Sequence, residues 1–151
     1  MMDYVKNQIE TLNDLILINN DRVEGYQKAI EELKADDADL RILFQERVNQ
    51  SRSFHTELSG EIAKTGEEIK EGTNLTGEIY RAWMDVKAFF SGADRKTILD
   101  NCENGEDAAL RAYEEALKSE YLSPEQRTMI IRQQAEIKAS HDKIRAMRDA
   151  L

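Results

Sequence analysis

Residues 3–34 read DYVKNQIETLNDLILINNDRVEGYQKAIEELK, and within them Val5, Ile9, Leu12, Ile16, Asn19, Val23, Tyr26, Ile30 and Leu33 recur in alternating steps of four and three. That spacing keeps one face of a helix pressed against partner helices along its whole length. One member breaks the pattern. Asn19 stands where an aliphatic residue belongs, and His55, Glu106 and His141 interrupt later stripes in the same way. The sequence therefore predicts a helical bundle whose apolar interior turns polar near the middle.

Working outward, Ala35-Asp36-Asp37 makes a tight connection, and either aspartate can accept the free N–H groups of a second helix over about residues 38–71. The stripe of that helix is Leu40, Phe44, Val48, Ser51, His55, Leu58, Ile62, Thr65 and Ile69. Gly60 and Gly66 lie inside it, each costing about 1 kcal/mol relative to alanine. A shorter amphipathic helix over residues 77–90 places Ile79, Trp83, Val86 and Phe90 on one face. Asp94 can cap the next helix, about residues 95–119, which carries Leu99, Cys102, Glu106, Ala109, Leu110, Tyr113 and Leu117. Asn104-Gly105 is a turn signal, but the stripe keeps its phase across it, which favours one continuous helix. Ser123-Pro124-Glu125-Gln126 is a capping box with proline at the first helical position. It opens a last helix, to about residue 150, with Ile130, Gln134, Ile137, His141, Ile144, Arg148 and Leu151 on its stripe.

Lengths constrain the topology. Two helices of ~32 residues, or ~48 Å, joined by two or three residues must be antiparallel. The last two helices form a second hairpin around Tyr121. Gly72 to Ala93 is too long for a tight turn and suits a crossover along the bundle, which makes the second and fourth helices parallel. An up-down order with the short helix protruding is the alternative. The expected fold is all-α: one domain over residues 1–151, two antiparallel hairpins joined by a long crossover containing a short extra helix.

Composition agrees and excludes other classes. Of 151 residues, 40% are apolar and 34% charged, with a single proline and seven glycines, too few turn formers for an all-β fold. A net charge of −9 repels phosphate backbones and anionic membrane surfaces, so neither nucleic acid nor membrane is an expected partner. No apolar run of ~18 residues can span a bilayer, and Met1-Met2-Asp3-Tyr4 does not open a signal peptide. A cytoplasmic, bacterial-type protein is the expectation. The lone Cys102 excludes an internal disulfide and reads as a small core residue.

Reflecting the first hairpin about residue 36 sets Asn19 opposite Ser51 and His55. Reflecting the second about residue 121 sets Glu106 opposite Gln134 and Ile137, with His141 about one turn further on. The polar core candidates are thus Asn19, Ser51, His55, Glu106, Gln134 and His141. As a satisfied network they would fix register and topology. Di-iron carboxylate bundles take one glutamate from each of two helices and a Glu-x-x-His pair from each of the other two. Here Arg52 and Lys138 precede the two histidines by three residues, and Asp14, Asp21 and Glu24 lie off the first stripe. No metal, cofactor or catalytic residue is expected; His55, Glu106 and His141 are the weak candidates for one divalent ion. Tyr80, Trp83, Met84, Phe89 and Phe90 read as packing rather than a ligand crevice. Leu17 and Ile42 fit no core position: Leu17 suits a place beneath the crossover, Ile42 either that or a homodimer contact.

The stretches Gly77–Lys87 (GEIYRAWMDVK) and Cys102–Leu117 (CENGEDAALRAYEEAL), with Asn13-Asp14-Leu15 and Asn20-Asp21 to Tyr26, resemble a bacterial family of uncharacterised four-helix-bundle proteins grouped with the ferritin-like superfamily. The resemblance implies a ferritin-like bundle with a crossover that contains an extra helix, and supplies no activity. Glu106 matches an inward acid position of that superfamily, whereas Arg52 and Lys138 depart from its Glu-x-x-His pattern. The expected function is non-catalytic: a structural or interaction protein, homo-oligomeric or bound to a protein partner, in a stress-related setting. The alternative is a metal-binding (Fe, Mn or Zn) bundle with a degenerate site.

Overall fold

Two of the helices begin where capping side chains stand. Asp94 accepts from the Thr97 N–H through Oδ1 at 2.9 Å. Ser123 Oγ accepts from the Gln126 N–H at 3.1 Å while Gln126 Oε1 accepts from the Ser123 N–H at 2.9 Å, so two otherwise unpaired donors are satisfied reciprocally. The computed structural model describes residues 2–67 and 94–151. In it α1 spans Met2–Glu32, α2 Ala38–Ala63, α3 Arg95–Leu117 and α4 Pro124–Asp149, with a 3-10 turn at Ala35–Asp37. No strand occurs among the described residues. α3 runs unbroken through Asn104-Gly105.

Two boundaries differ from expectation. α2 stops at Ala63 rather than near residue 71, because Gly66 adopts φ 82°, a left-handed conformation that ends a helix and favours glycine. Asp37 does not cap α2; its Oδ2 accepts from the Lys34 N–H at 3.2 Å and its Oδ1 from Arg95 at 3.1 Å. The helix expected over residues 77–90, with its aromatic cluster, lies outside the described residues.

Side-chain bridges fix the topology. Arg95, at the start of α3, donates to both carboxylate oxygens of Asp39, at the start of α2 (2.9 and 2.6 Å), and its bond lowers the Asp39 pKa to about 2. α2 and α3 therefore start at the same end and run parallel, and the simple up-down order does not hold. At the opposite end the Tyr4 ring meets Tyr121 edge-on (centroids 5.4 Å apart, 83°), and Gln8 Nε2 donates to the Tyr121 carbonyl. Arg127 donates to the Leu117 and Ser119 carbonyls (2.7 and 2.6 Å), covering exposed acceptors where α3 ends.

The apolar interior falls into two bodies. One gathers Leu12, Leu15, Ile16, Phe54, Leu58, Ile62, Ala109, Tyr113, Ile130 and Ile137; the other gathers Tyr26, Leu33, Leu40, Phe44, Val48, Leu99, Cys102 and Ile144. Between them each of the four described helices changes from apolar to polar, at Asn19, Asp21 and Arg22, at Ser51, at Glu106, and at Ser140 and His141, all buried. Leu17 is half-buried, whereas Ile42 is 65% exposed.

Candidate functional site

The polar belt is organised by a residue that apolar periodicity passes over. Arg22, on α1, is wholly buried and forks onto Glu106 of α3: Nε donates to Oε1 at 2.7 Å and Nη2 to Oε2 at 2.9 Å. Nη1 donates to Ser51 Oγ and Nη2 to Gln50 Oε1, each at 3.0 Å, both on α2. Ser51 Oγ in turn donates to the Arg47 carbonyl at 2.9 Å. The Tyr26 ring lies 5.8 Å from the guanidinium carbon, within cation–π range. Burial alone would lower the arginine pKa, yet the adjoining carboxylate raises it above its ordinary value, so the guanidinium keeps its charge. Three helices are thus tied through one planar cation, which bidentate geometry suits.

A second chain of bonds starts one turn away. Asn19 Nδ2 donates to the Leu15 carbonyl and to Tyr113 Oη, both at 2.9 Å. Tyr113 Oη donates to Gln133 Oε1 at 2.6 Å, and Gln133 Nε2 donates to Glu57 Oε1 at 3.3 Å. Glu57 also pairs with Arg132 at the surface. Burial pushes the Tyr113 pKa up, with the Asn19 bond pulling the other way.

Asn19, Ser51 and Glu106 meet in this belt; the other three candidates do not join them as expected. His55 is half-buried and shares a 3.3 Å hydrogen bond with Ser59 Oγ, because Phe54 takes the inward position and gains more from burial than an imidazole does. Gln133, not Gln134, points inward and is fully buried; Gln134 is half-buried. His141 is buried, but its ring meets Asp107, Glu103 and Asp142 rather than Glu106. Asp21, read as off the stripe, is also buried, since α1 packs on both α2 and α3 and so hides a wider face. Burial, followed by the nearby Glu106 charge, holds the Cys102 thiol well above its usual pKa, as suits a packing residue and not a nucleophile.

The arrangement does not suit a metal at Glu106. Both carboxylate oxygens are engaged by a fixed cation, and an ion placed there would face the guanidinium at hydrogen-bond range.

Residues 7–119 match a family described as a domain of unknown function, DUF2383. The chain belongs to this family. No curated protein matches the sequence significantly. Among solved structures, the DUF2383 chain is similar to a mutant of Mycobacterium smegmatis Dps1, with 14% identity, a TM-score of 0.83, and coverage of 98% of this chain and 99% of that one. The fold is a ferritin-like four-helix bundle. No helix among the described residues is long and apolar enough to cross a membrane.

Proposed function

We propose that this DUF2383 bundle is a non-catalytic structural or interaction protein that works through its surface, as a homo-oligomer or with a protein partner. The observation that carries the reading is the Arg22–Glu106 pair: the place where a ferritin-like bundle could gather metal ligands is filled by a cation of the chain itself. The neighbouring side chains complete hydrogen bonds to that cation and to Tyr113, and both Glu106 oxygens are taken up by it.

Two measurements on the same preparation bear on this. Size-exclusion chromatography with light scattering is expected to give a fixed multiple of the chain mass, unchanged by a chelator. Aerobic oxidation of added Fe(II) is expected to proceed at the rate of buffer alone. Oxidation well above that rate, and lost in Glu106→Ala, would overturn the non-catalytic reading. A strict monomer at high concentration would remove the homo-oligomer.

A further inference from the structure

His141 of α4 is 7% exposed, and its two ring nitrogens face three carboxylates. Nδ1 lies 3.0 Å from Asp142 Oδ1, while Nε2 lies 2.8 Å from Asp107 Oδ1 and 3.7 Å from Glu103 Oε1. A neutral imidazole carries one proton. Donated from Nδ1 to Asp142, it leaves the Nε2 lone pair facing two anionic oxygens, an arrangement that a cation bound between them would relieve. Glu103 and Asp107 stand four residues apart on one face of α3, and Arg148 engages the far oxygen of Glu103, leaving Oε1 turned toward the histidine. Among the described residues this is the one group of three side chains whose ligating atoms all lie within 4.8 Å of one another.

We infer that Glu103, Asp107 and His141 form a binding site for one divalent transition-metal cation, on the α3–α4 groove and separate from the Arg22–Glu106 centre. A tetrahedral ion with bonds of about 2.0–2.2 Å needs ligand atoms roughly 3.4 Å apart. The Nε2–Asp107 separation must open and the Nε2–Glu103 separation close, each by well under about 1 Å, within reach of side-chain torsions. Asp142 supplies the carboxylate that holds Nδ1–H and so presents Nε2 to the ion. One nitrogen with two carboxylates suits Zn(II), Co(II), Mn(II) or Fe(II) over Ca(II) or Mg(II), which prefer all-oxygen sites. The fourth tetrahedral position is left for solvent, on the side of Asp107, whose side chain is 42% exposed.

Metal-free, untagged full-length protein titrated calorimetrically with Zn(II), and followed by visible absorption with Co(II), provides the test. One ion per chain is expected. Asp107→Asn, at a partly exposed position that leaves the core intact, is expected to weaken Zn(II) at least tenfold, and His141→Ala to abolish the Co(II) bands. His55→Ala removes the other histidine and is expected to leave both signals unchanged. Absence of saturable Zn(II) binding up to about 100 µM, or binding by the Asp107 and His141 variants equal to that of the parent, would overturn the assignment. Neither outcome touches the oligomer or iron-oxidation measurements above.

Discussion

Arg22→Met is expected to lower the free energy of unfolding by about 3–5 kcal/mol, and Glu106→Leu by a similar amount. Each single replacement strands a wholly buried charge: the carboxylate in one case, the guanidinium in the other. Arg22→Met also strips Ser51 and Gln50 of a donor. The double variant Arg22→Met with Glu106→Leu removes both charges together and fills their volume with apolar atoms. It should therefore recover most of the loss, and can exceed the parent, since desolvating two ions offsets much of their attraction. Urea unfolding followed by circular dichroism reads all four corners of the cycle. Two single losses that simply add in the double variant would mean that the pair is not coupled.

Phe44→Ala is expected to cost about 3–5 kcal/mol, for a different reason. Its ring has no exposed surface and packs against Tyr26 with centroids 5.4 Å apart at 45°, in the apolar body formed by the ends of α1 and α4 and the starts of α2 and α3. Truncation leaves a void that neighbours held on the surrounding helices cannot fully close. Ile42→Ala, two residues away on the same helix but 65% exposed, should stay within about 0.5 kcal/mol of the parent. Thermal and urea melts of the two variants side by side separate core packing from a general intolerance of α2 to substitution.

The fold was legible because its signals are local or periodic. Asp94 and the Ser123–Gln126 box mark helix starts by chemistry confined to four residues, and those caps form as read. The polar belt was legible only in outline, and α1 shows why. Two frames with the same spacing share Leu12, Asn19, Tyr26 and Leu33: one passes through Ile16, Val23 and Ile30, the other through Leu15, Arg22 and Ala29. Hydropathy selects the first. The structure buries Leu15, Arg22 and Ala29 completely or nearly so, and leaves Val23 and Ile30 half-buried. Nothing near Arg22 announces this, because its burial depends on Glu106, 84 residues further along the chain. The same choice between neighbours recurs at Phe54 and His55, and at Gln133 and Gln134, where packing rather than polarity decides. Glu103 and Asp107 were hidden for another reason. They flank the inward Glu106 on α3, and only the placement of α4 brings His141 to them.

A guanidinium locked to a carboxylate fills the middle of the bundle. Hydrogen exchange of arginine Nε–H groups, followed by ¹H–¹⁵N NMR, addresses it directly. One such proton, from Arg22, should persist long after transfer to deuterated water, opening only with global unfolding, and should lose that protection in Glu106→Ala. If every arginine Nε–H exchanges as fast as a surface side chain, Arg22 is not held as described and the account of the polar belt fails.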